Sequence, residues 1–287
     1  MTGLRLSVYH ALLEYIVPFL NNPRTNIPLR NQVTMFLVRM RLNIPQRYLS
    51  LQIKMSLSTV NSMLSRILDV MYAKIGFLVR WPDREGIFST IPPHFKQFYP
   101  RLTCIIDCFE IFMHRPKRLK ARQEVYSNYK KHSTVKFLIG ISPTGAVLYL
   151  SEPWGGRVPD IHIVKESGFI SPTYHDPRDQ ILADRGFTLE EDFGAICSAE
   201  LVMPNFTRGK QQLPGEEVDG SRKTSNVRIH VERVIGSVKQ RYHVLNGPIP
   251  INVIKSATEE SDGRVPNIQR LVTVACALVN LSPGVVL

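Results

Sequence analysis

The spacing of the apolar residues changes near residue 100, and this change constrains the fold more than any other feature. Before it, apolar residues recur at intervals of three and four, which is typical of helices with one buried face. After it, short apolar runs such as LTCIIDCFEIFM alternate with amphipathic segments, which is typical of strands alternating with helices. We predict a helical region over residues 1–79, a connector rich in proline and aromatic residues over 80–100, and an α/β domain over 101–287.

The helical region contains a pattern that predicts a helix-turn-helix. A short helix beginning at Pro45 precedes a longer helix that we expect Ser58 to cap. The longer helix has an apolar stripe formed by Val60, Met63, Leu64, Ile67, Leu68 and Met71. Two helices joined by a tight turn, the second opening with Ser, Thr and Asn, are typical of DNA-binding motifs. In that interpretation Ser58, Thr59 and Asn61 face DNA, although a plain helical hairpin fits the pattern equally well.

The α/β region begins with the strand LTCIIDCFEIFM and continues with two strands around a Pro-Thr-Gly turn at residues 143–145. A helix over about 161–167, the strand QILAD, a helix from about Thr188 and the strand LVMPNF follow. The last predicted helix is VRIHVERVIGSVKQRY, whose valine and isoleucine stripe leaves a basic face outward. This order predicts α/β layers in which the hairpin makes part of the sheet antiparallel.

Three acidic residues of the α/β region lie in unusual settings. Asp107 lies inside an apolar strand, where a carboxylate is costly to bury unless it is paired or binds metal. Asp184 ends the strand QILAD, and Glu232 lies on the last predicted helix. One acid on the first strand, one on a middle strand and one on a later helix are what an RNase H-like nuclease uses to hold two divalent cations, Mg²⁺ or Mn²⁺. We therefore predict a phosphodiester-hydrolysing site at Asp107, Asp184 and Glu232.

Each acid also has a purely structural interpretation. Asp107 could be a strand-end residue facing solvent, Asp184 could end its strand in an Asp-Arg-Gly turn, and Glu232 could form an ion pair with Arg228 on the same helix. Asp160 is either a fourth carboxylate near the metal ions or, in the interpretation we prefer, the N-cap of the helix that follows it.

The charge balance predicts a polyanionic partner. The chain of 287 residues has 36 Lys and Arg against 24 Asp and Glu, a net charge of +12, which favours DNA as the partner. A segment over residues 115–136 is strongly basic and contains Lys130 and Lys131, with Tyr126 and Tyr129 between its charges. It either follows phosphates and stacks on an unpaired base or is a solvated loop, and it also fits a nuclear import signal. We expect Arg228, Arg233 and Lys239 on the last helix to contact DNA.

Four stretches together resemble the DDE superfamily endonucleases of the Harbinger-type transposase group. They are IIDCFEIFMHRPKRLKARQEVYSNYKKHSTVKFLIGISPTG, PWGGRVPD, ILADRGF and VRIHVERVIGSVKQRY, and the resemblance covers about residues 30–285. It implies an RNase H-like mixed sheet flanked by helices, preceded by a helix-turn-helix. It also implies that Asp107, Asp184 and Glu232 are the catalytic acids, with two Mg²⁺ or Mn²⁺ ions as cofactors and DNA ends as substrate.

Two departures from the group limit what the resemblance implies. Some members carry a THAP zinc finger, but residues before 30 hold no cysteine and histidine set of that type, and Pro153 replaces the first glycine of the usual GWGG. A separate DNA-binding partner protein and a homo-oligomer are therefore both conceivable. The rival interpretation is a domesticated, non-catalytic protein that keeps the fold and binds DNA or serves as a scaffold. We expect a nuclear protein without a membrane segment.

Overall fold

The computed structural model describes residues 1–21, 25–184, 186–203, 229–254 and 265–282. Its helices in chain order are α1 (Leu6–Ile16), α2 (Leu29–Leu42), α3 (Gln46–Gln52), α4 (Leu57–Ile75), α5 (Arg84–Thr90), α6 (Pro93–Phe98), α7 (Leu119–Val125), α8 (Asp160–Glu166), α9 (Glu190–Cys197), α10 (229–241), α11 (Ile251–Ile254) and α12 (Asn267–Asn280). Its strands are β1 (Leu102–Phe112), β2 (Tyr126–Ser127), β3 (His132–Ile141), β4 (Val147–Leu150), β5 (Trp154–Gly155), β6 (Gln180–Leu182) and β7 (Glu200–Val202). None of the described helices has the length and hydropathy needed to cross a membrane.

Contacts divide the chain into two units. The first, helical unit comprises Met1–Val79, Ile111–Pro116 and Ser237–Pro283. The second unit comprises Arg80–Glu110 and Lys117–Gly236, and it contains most of the sheet. The residues predicted as a connector thus belong to the second unit.

The helical unit is built around α4, whose predicted apolar stripe is buried throughout. Gln32 of α2 is fully buried, and its amide accepts a hydrogen bond from Arg66 of α4 at 2.8 Å. Because a buried amide is costly unless it is paired, this bond fixes how α2 and α4 pack. The two helices of the predicted helix-turn-helix are confirmed, but the N-cap of α4 lies two residues earlier than predicted. Ser56, not Ser58, accepts the hydrogen bond from the Thr59 amide at 3.1 Å, so Ser58 lies inside the helix.

The segment predicted as a connector forms two short helices. Asp83 caps α5 by accepting a hydrogen bond from the Gly86 amide at 2.7 Å, and Pro93 occupies the first turn of α6. Proline is favoured at that position because the first helical amides have no partner within the helix. Residues that the sequence pattern suggests as chain breakers are therefore the starting points of helices here.

The sheet has the strand order β2-β3-β1-β6-β7, with β4 and β5 also paired to β3. The predicted hairpin is confirmed, because β3 and β4 pair in antiparallel fashion. Strands β1, β6 and β7 are parallel. This is the RNase H-like mixed sheet that the sequence predicts. Helices α8 and α9 cover one of its faces, where Ile163, Val164 and Phe193 pack with Cys104 and Ile181 in one buried cluster.

Candidate active site

The register between β1 and β6 relates the positions of Asp107 and Asp184. Ile105 of β1 lies opposite Leu182 of the parallel β6. Asp107 and Asp184 each follow this pair by two residues, Asp107 within β1 and Asp184 just beyond the carboxyl end of β6. Neighbouring strands are separated by about 4.8 Å, so the same register, if continued to these two residues, would bring the carboxylates within reach of one ligand.

The two aspartates also lie on the same face of the sheet. Ile106 and Ala183, which precede them, both belong to the cluster beneath α8 and α9. Because successive side chains of a strand alternate between faces, Asp107 and Asp184 lie on the opposite face. That face also carries Phe109, which stacks on Phe137 of β3 with 5.6 Å between ring centroids.

The local geometry at each aspartate refines the structural alternatives. Asp107 is half-buried in the middle of β1, not at a strand end, and its Oδ1 accepts a hydrogen bond from the Cys108 amide at 2.8 Å. Asp184 does begin a turn, because its carbonyl accepts a hydrogen bond from the Phe187 amide at 3.1 Å. The turn and the candidate ligand role are compatible, since the turn uses the backbone and not the carboxylate.

The other face of β1 carries a partly buried charged network that sequence reasoning missed. The ammonium group of Lys136 on β3 donates to Asp160 at 2.8 Å and to the Val158 carbonyl at 2.9 Å, and it lies 3.8 Å from Glu110. Glu110 further accepts hydrogen bonds from Ser127 at 3.0 Å and Thr134 at 2.6 Å. A lone lysine within the apolar run VKFLIGI was the available signal, of the same kind as that of Asp107.

The thiol of Cys108 lies near these charges, and its pKa responds to them. Burial raises its pKa well above the usual value, and the carboxylates of Asp160 and Asp107 raise it further, whereas Lys136 acts in the opposite direction. The thiol is therefore protonated at neutral pH, and we assign it no nucleophilic role.

Asp160 is the first residue of α8, and Pro159 holds the N-cap position, so the predicted N-cap is wrong by one residue. Its carboxylate instead accepts from Lys136, and it is 43% exposed. Its role as a fourth metal-proximal carboxylate stays a prediction.

Glu232 lies on α10, whose apolar stripe is buried as predicted at Val231, Val234 and Val238. Glu232 and Arg233 are exposed, and Lys239 is half-buried. Near the start of the helix, the ring of His230 packs edge-on against Phe95 of α6 with 5.0 Å between centroids. Arg228, the predicted ion-pair partner and DNA contact, lies outside the described residues.

Among the residues that the structure describes, no group of three or more His, Cys, Asp or Glu side chains is arranged to hold a metal ion. Asp107 and Asp184 follow paired positions of β1 and β6, and none of Asp107, Asp184 and Glu232 belongs to such a group. Carboxylate oxygens are nevertheless the hard donors that Mg²⁺ and Mn²⁺ prefer, so the chemistry of these side chains fits a divalent cation.

The remaining predicted DNA contacts are accessible. In the helical unit, Ser58 and Asn61 of α4 are exposed and Thr59 is half-buried. In the other unit, Lys130 and Lys131 are exposed in the turn that joins β2 to β3. The exposure of these residues is compatible with contact to DNA, and their role stays a prediction.

Comparison with protein families supports the resemblance. Residues 106–280 match the family described as DDE superfamily endonuclease, and residues 25–77 match the helix-turn-helix of DDE superfamily endonuclease. A comparison with curated proteins gives no match. The first family spans the three predicted acids, and the second spans α2, α3 and α4. Because the first match covers more than half of the chain, the protein belongs to the DDE superfamily endonucleases.

Proposed function

We propose that the chain is a divalent-metal-dependent DNA endonuclease of the transposase type, which hydrolyses phosphodiester bonds. The observation that supports this proposal most is the parallel register of β1 and β6, because Asp107 and Asp184 each follow the paired residues Ile105 and Leu182 by two positions towards the carboxyl edge of the sheet. In open α/β sheets this edge is where ligands bind. The family match, the helix-turn-helix and the net charge of +12 support DNA as the substrate.

Asp107 and Asp184 would bind both cations between them, and Glu232 would complete the second site. Two divalent cations, when bound, activate the attacking water and stabilise the leaving oxygen of an in-line displacement. The protein's own contribution is to fix the ligands. Asp107 is suited to this, because it lies within the longest described strand of the sheet, and Lys136 on β3, which lies near Glu110 of that strand, also pairs with Asp160.

The helix-turn-helix would bind duplex DNA through the exposed start of α4, where Ser58 and Asn61 lie. Arg233 and Lys239 of α10 would contact phosphates, which fixes position without reading sequence. Action on DNA would place the protein in the nucleus, which a fluorescent fusion would test. We also propose that the chain descends from the Harbinger-type group. Its further partners would be a separate DNA-binding protein or a second copy of the chain.

The decisive experiment compares nicking of supercoiled plasmid by the wild type, Asp107→Asn and Asp184→Asn in Mg²⁺ or Mn²⁺. We expect both variants to lose nicking by at least roughly a hundredfold, which is the usual effect of removing one group that stabilises the transition state. Asp192→Asn is the matched control, since Asp192 is an aspartate of the same unit that lies on helix α9 and pairs with Lys165 at 2.9 Å. Circular dichroism would verify that each variant keeps the fold.

Retention of nicking by Asp107→Asn would refute the catalytic assignment. If the wild type binds DNA but neither nicks it nor binds Mn²⁺ in calorimetry, the chain is the non-catalytic DNA-binding protein of the rival interpretation. The lack of a ready three-ligand group among the described residues is the observation that favours this rival.

A further inference from the structure

The turn over residues 128–131, between β2 and β3, presents an aromatic side chain among basic ones. Tyr129 is 81% exposed, and the ammonium group of Lys130 lies over its ring, 4.5 Å from the centroid. Tyr126, just before the turn, is 41% exposed. A ring this exposed contributes little to the core of its own chain, and the face that Lys130 does not cover is open to a planar ligand. We call residues 126–131 the Tyr129 hairpin.

The Tyr129 hairpin is anchored from beneath. Ser127 is 1% exposed, and its hydroxyl donates to Glu110 at 3.0 Å while accepting from the Lys130 amide at 3.1 Å. Strands β2 and β3 pair in antiparallel register, with Tyr126 opposite Ser133. The exposed ring therefore projects from a hydrogen-bonded turn tied to β1, the strand that carries Asp107.

The hairpin lies at the same edge of the sheet as the two aspartates. Thr134, near the start of β3, donates to Glu110, near the end of β1, at 2.6 Å. The turn that precedes β3 is therefore beside the carboxyl end of β1. Since β1 runs parallel to β6, Asp184 emerges at this edge as well. Glu110 follows Asp107 by three residues, which is about 10 Å along a strand.

The charge around the ring selects the class of ligand. Residues 117–131 carry exposed basic side chains and a single acid, Glu124; the exposed basic residues are Lys117, Arg118, Lys120, Lys130 and Lys131. Basic residues that follow a backbone, combined with an exposed aromatic ring, are how proteins bind single-stranded nucleic acid. A base inside a duplex is stacked on its neighbours, so only an unpaired base is available to the ring.

We propose that the Tyr129 hairpin binds unpaired nucleotides of the DNA next to the scissile phosphodiester, with Tyr129 stacked on a base and Lys130 and Lys131 on phosphates. The position next to the scissile bond rests on the proposed nuclease function, whereas the stacking does not. The substrate class is accordingly duplex DNA that is frayed or single-stranded at the cut, not fully paired duplex.

The test measures binding without cleavage. The full-length wild type, in a chelator of divalent metal, is titrated by fluorescence anisotropy with a blunt duplex and with the same duplex bearing a short single-stranded overhang. We expect the wild type to prefer the overhang on the order of tenfold, as the loss or gain of one base–aromatic stack implies. Tyr129→Ala should abolish this preference while leaving binding to blunt duplex unchanged, and Tyr129→Phe should keep it.

Two further measurements make the result specific. A fluorescent adenine analogue in the overhang should be quenched by the wild type and by Tyr129→Phe but not by Tyr129→Ala. Tyr15→Ala is the matched control, because Tyr15 is also an exposed tyrosine, at 46%, on α1 and outside the hairpin. Equal preference of Tyr129→Ala and the wild type for the overhang, or no preference in the wild type, would overturn the proposal. Nicking by Asp107→Asn would refute the catalytic assignment alone, so the two failures are distinguishable.

Discussion

His175 makes the stability of the second unit depend on pH in a way that a single substitution can isolate. Its side chain is 1% exposed, and its ring packs edge-on against those of Trp81, Phe169 and Phe193 at centroid distances of 5.3, 4.7 and 5.5 Å. Neither ring nitrogen makes a hydrogen bond of normal geometry to the described residues. Protonating this imidazole would place a buried cation among aromatic side chains.

The pKa of His175 is lowered from 6.5 to about 4, mainly by burial; the backbone of Phe169 opposes this change and the charge of Arg84 contributes to it. Between these two pH values the unfolded chain binds a proton that the folded chain does not. The free energy of unfolding therefore falls as the pH falls from about 6.5 towards 4. The difference of about 2.5 between the pKa values corresponds to about 3 kcal/mol in full, and to about 2 kcal/mol near pH 5.

The assay is urea unfolding of the wild type and His175→Phe at neutral pH and near pH 5. Phenylalanine keeps an aromatic ring at this position and cannot titrate. The free energy of unfolding of the variant should therefore fall by about 2 kcal/mol less than that of the wild type over this pH range. Comparing the two proteins cancels other groups such as Asp179, whose pKa burial raises. The exposed His243, changed to Gln, should leave the wild-type pH dependence intact. Identical pH dependence in His175→Phe and the wild type would refute the reasoning.

Two other substitutions test how the sequence positions its elements. Gly156→Ala should destabilise the protein by roughly 1–3 kcal/mol, because the new Cβ would lie 2.0 Å from Thr134 Oγ1 and 2.8 Å from the Val125 carbonyl; an unchanged melting temperature would contradict this. Ser56→Ala should cost about 1 kcal/mol by removing the N-cap of α4, whereas Ser58→Ala should cost clearly less in the same urea titration. The reverse order would restore the cap to Ser58.

The sequence was most informative where one local rule decides the outcome. The stripe from Val60 to Met71 is buried because a helix with a period of 3.6 has only one face to bury. The Pro-Thr-Gly turn is confirmed for a similar reason, since Gly145 adopts a φ of +88°, a conformation that other residues rarely adopt. Helices α5 and α6 within the predicted connector were not predicted, because proline both ends and begins helices, and the pattern alone does not distinguish the two uses.

The candidate site was predictable in its residues but not in its arrangement. A carboxylate within an apolar strand marks Asp107 on the sequence alone. Its position relative to Asp184, however, depends on the register between two strands that are far apart in the chain, and no local pattern fixes that register. The partner of Lys136 was hidden for the same reason, because Asp160 lies 24 residues away and on a helix.

Strand β1 carries acids on both faces, and the two are explained differently. Glu110 is satisfied by two hydroxyl donors and lies near Lys136, so its place in the core follows from hydrogen bonding and charge pairing alone. That network also ties the start of β3 to the end of β1, which brings the Tyr129 hairpin to the edge where Asp107 and Asp184 lie. The structural acid Glu110 thus determines that the Tyr129 hairpin lies at the same edge as the candidate catalytic residue Asp107. If the proposals hold, the spacing of three residues between Asp107 and Glu110 sets the distance from the hydrolysed bond to the stacked base.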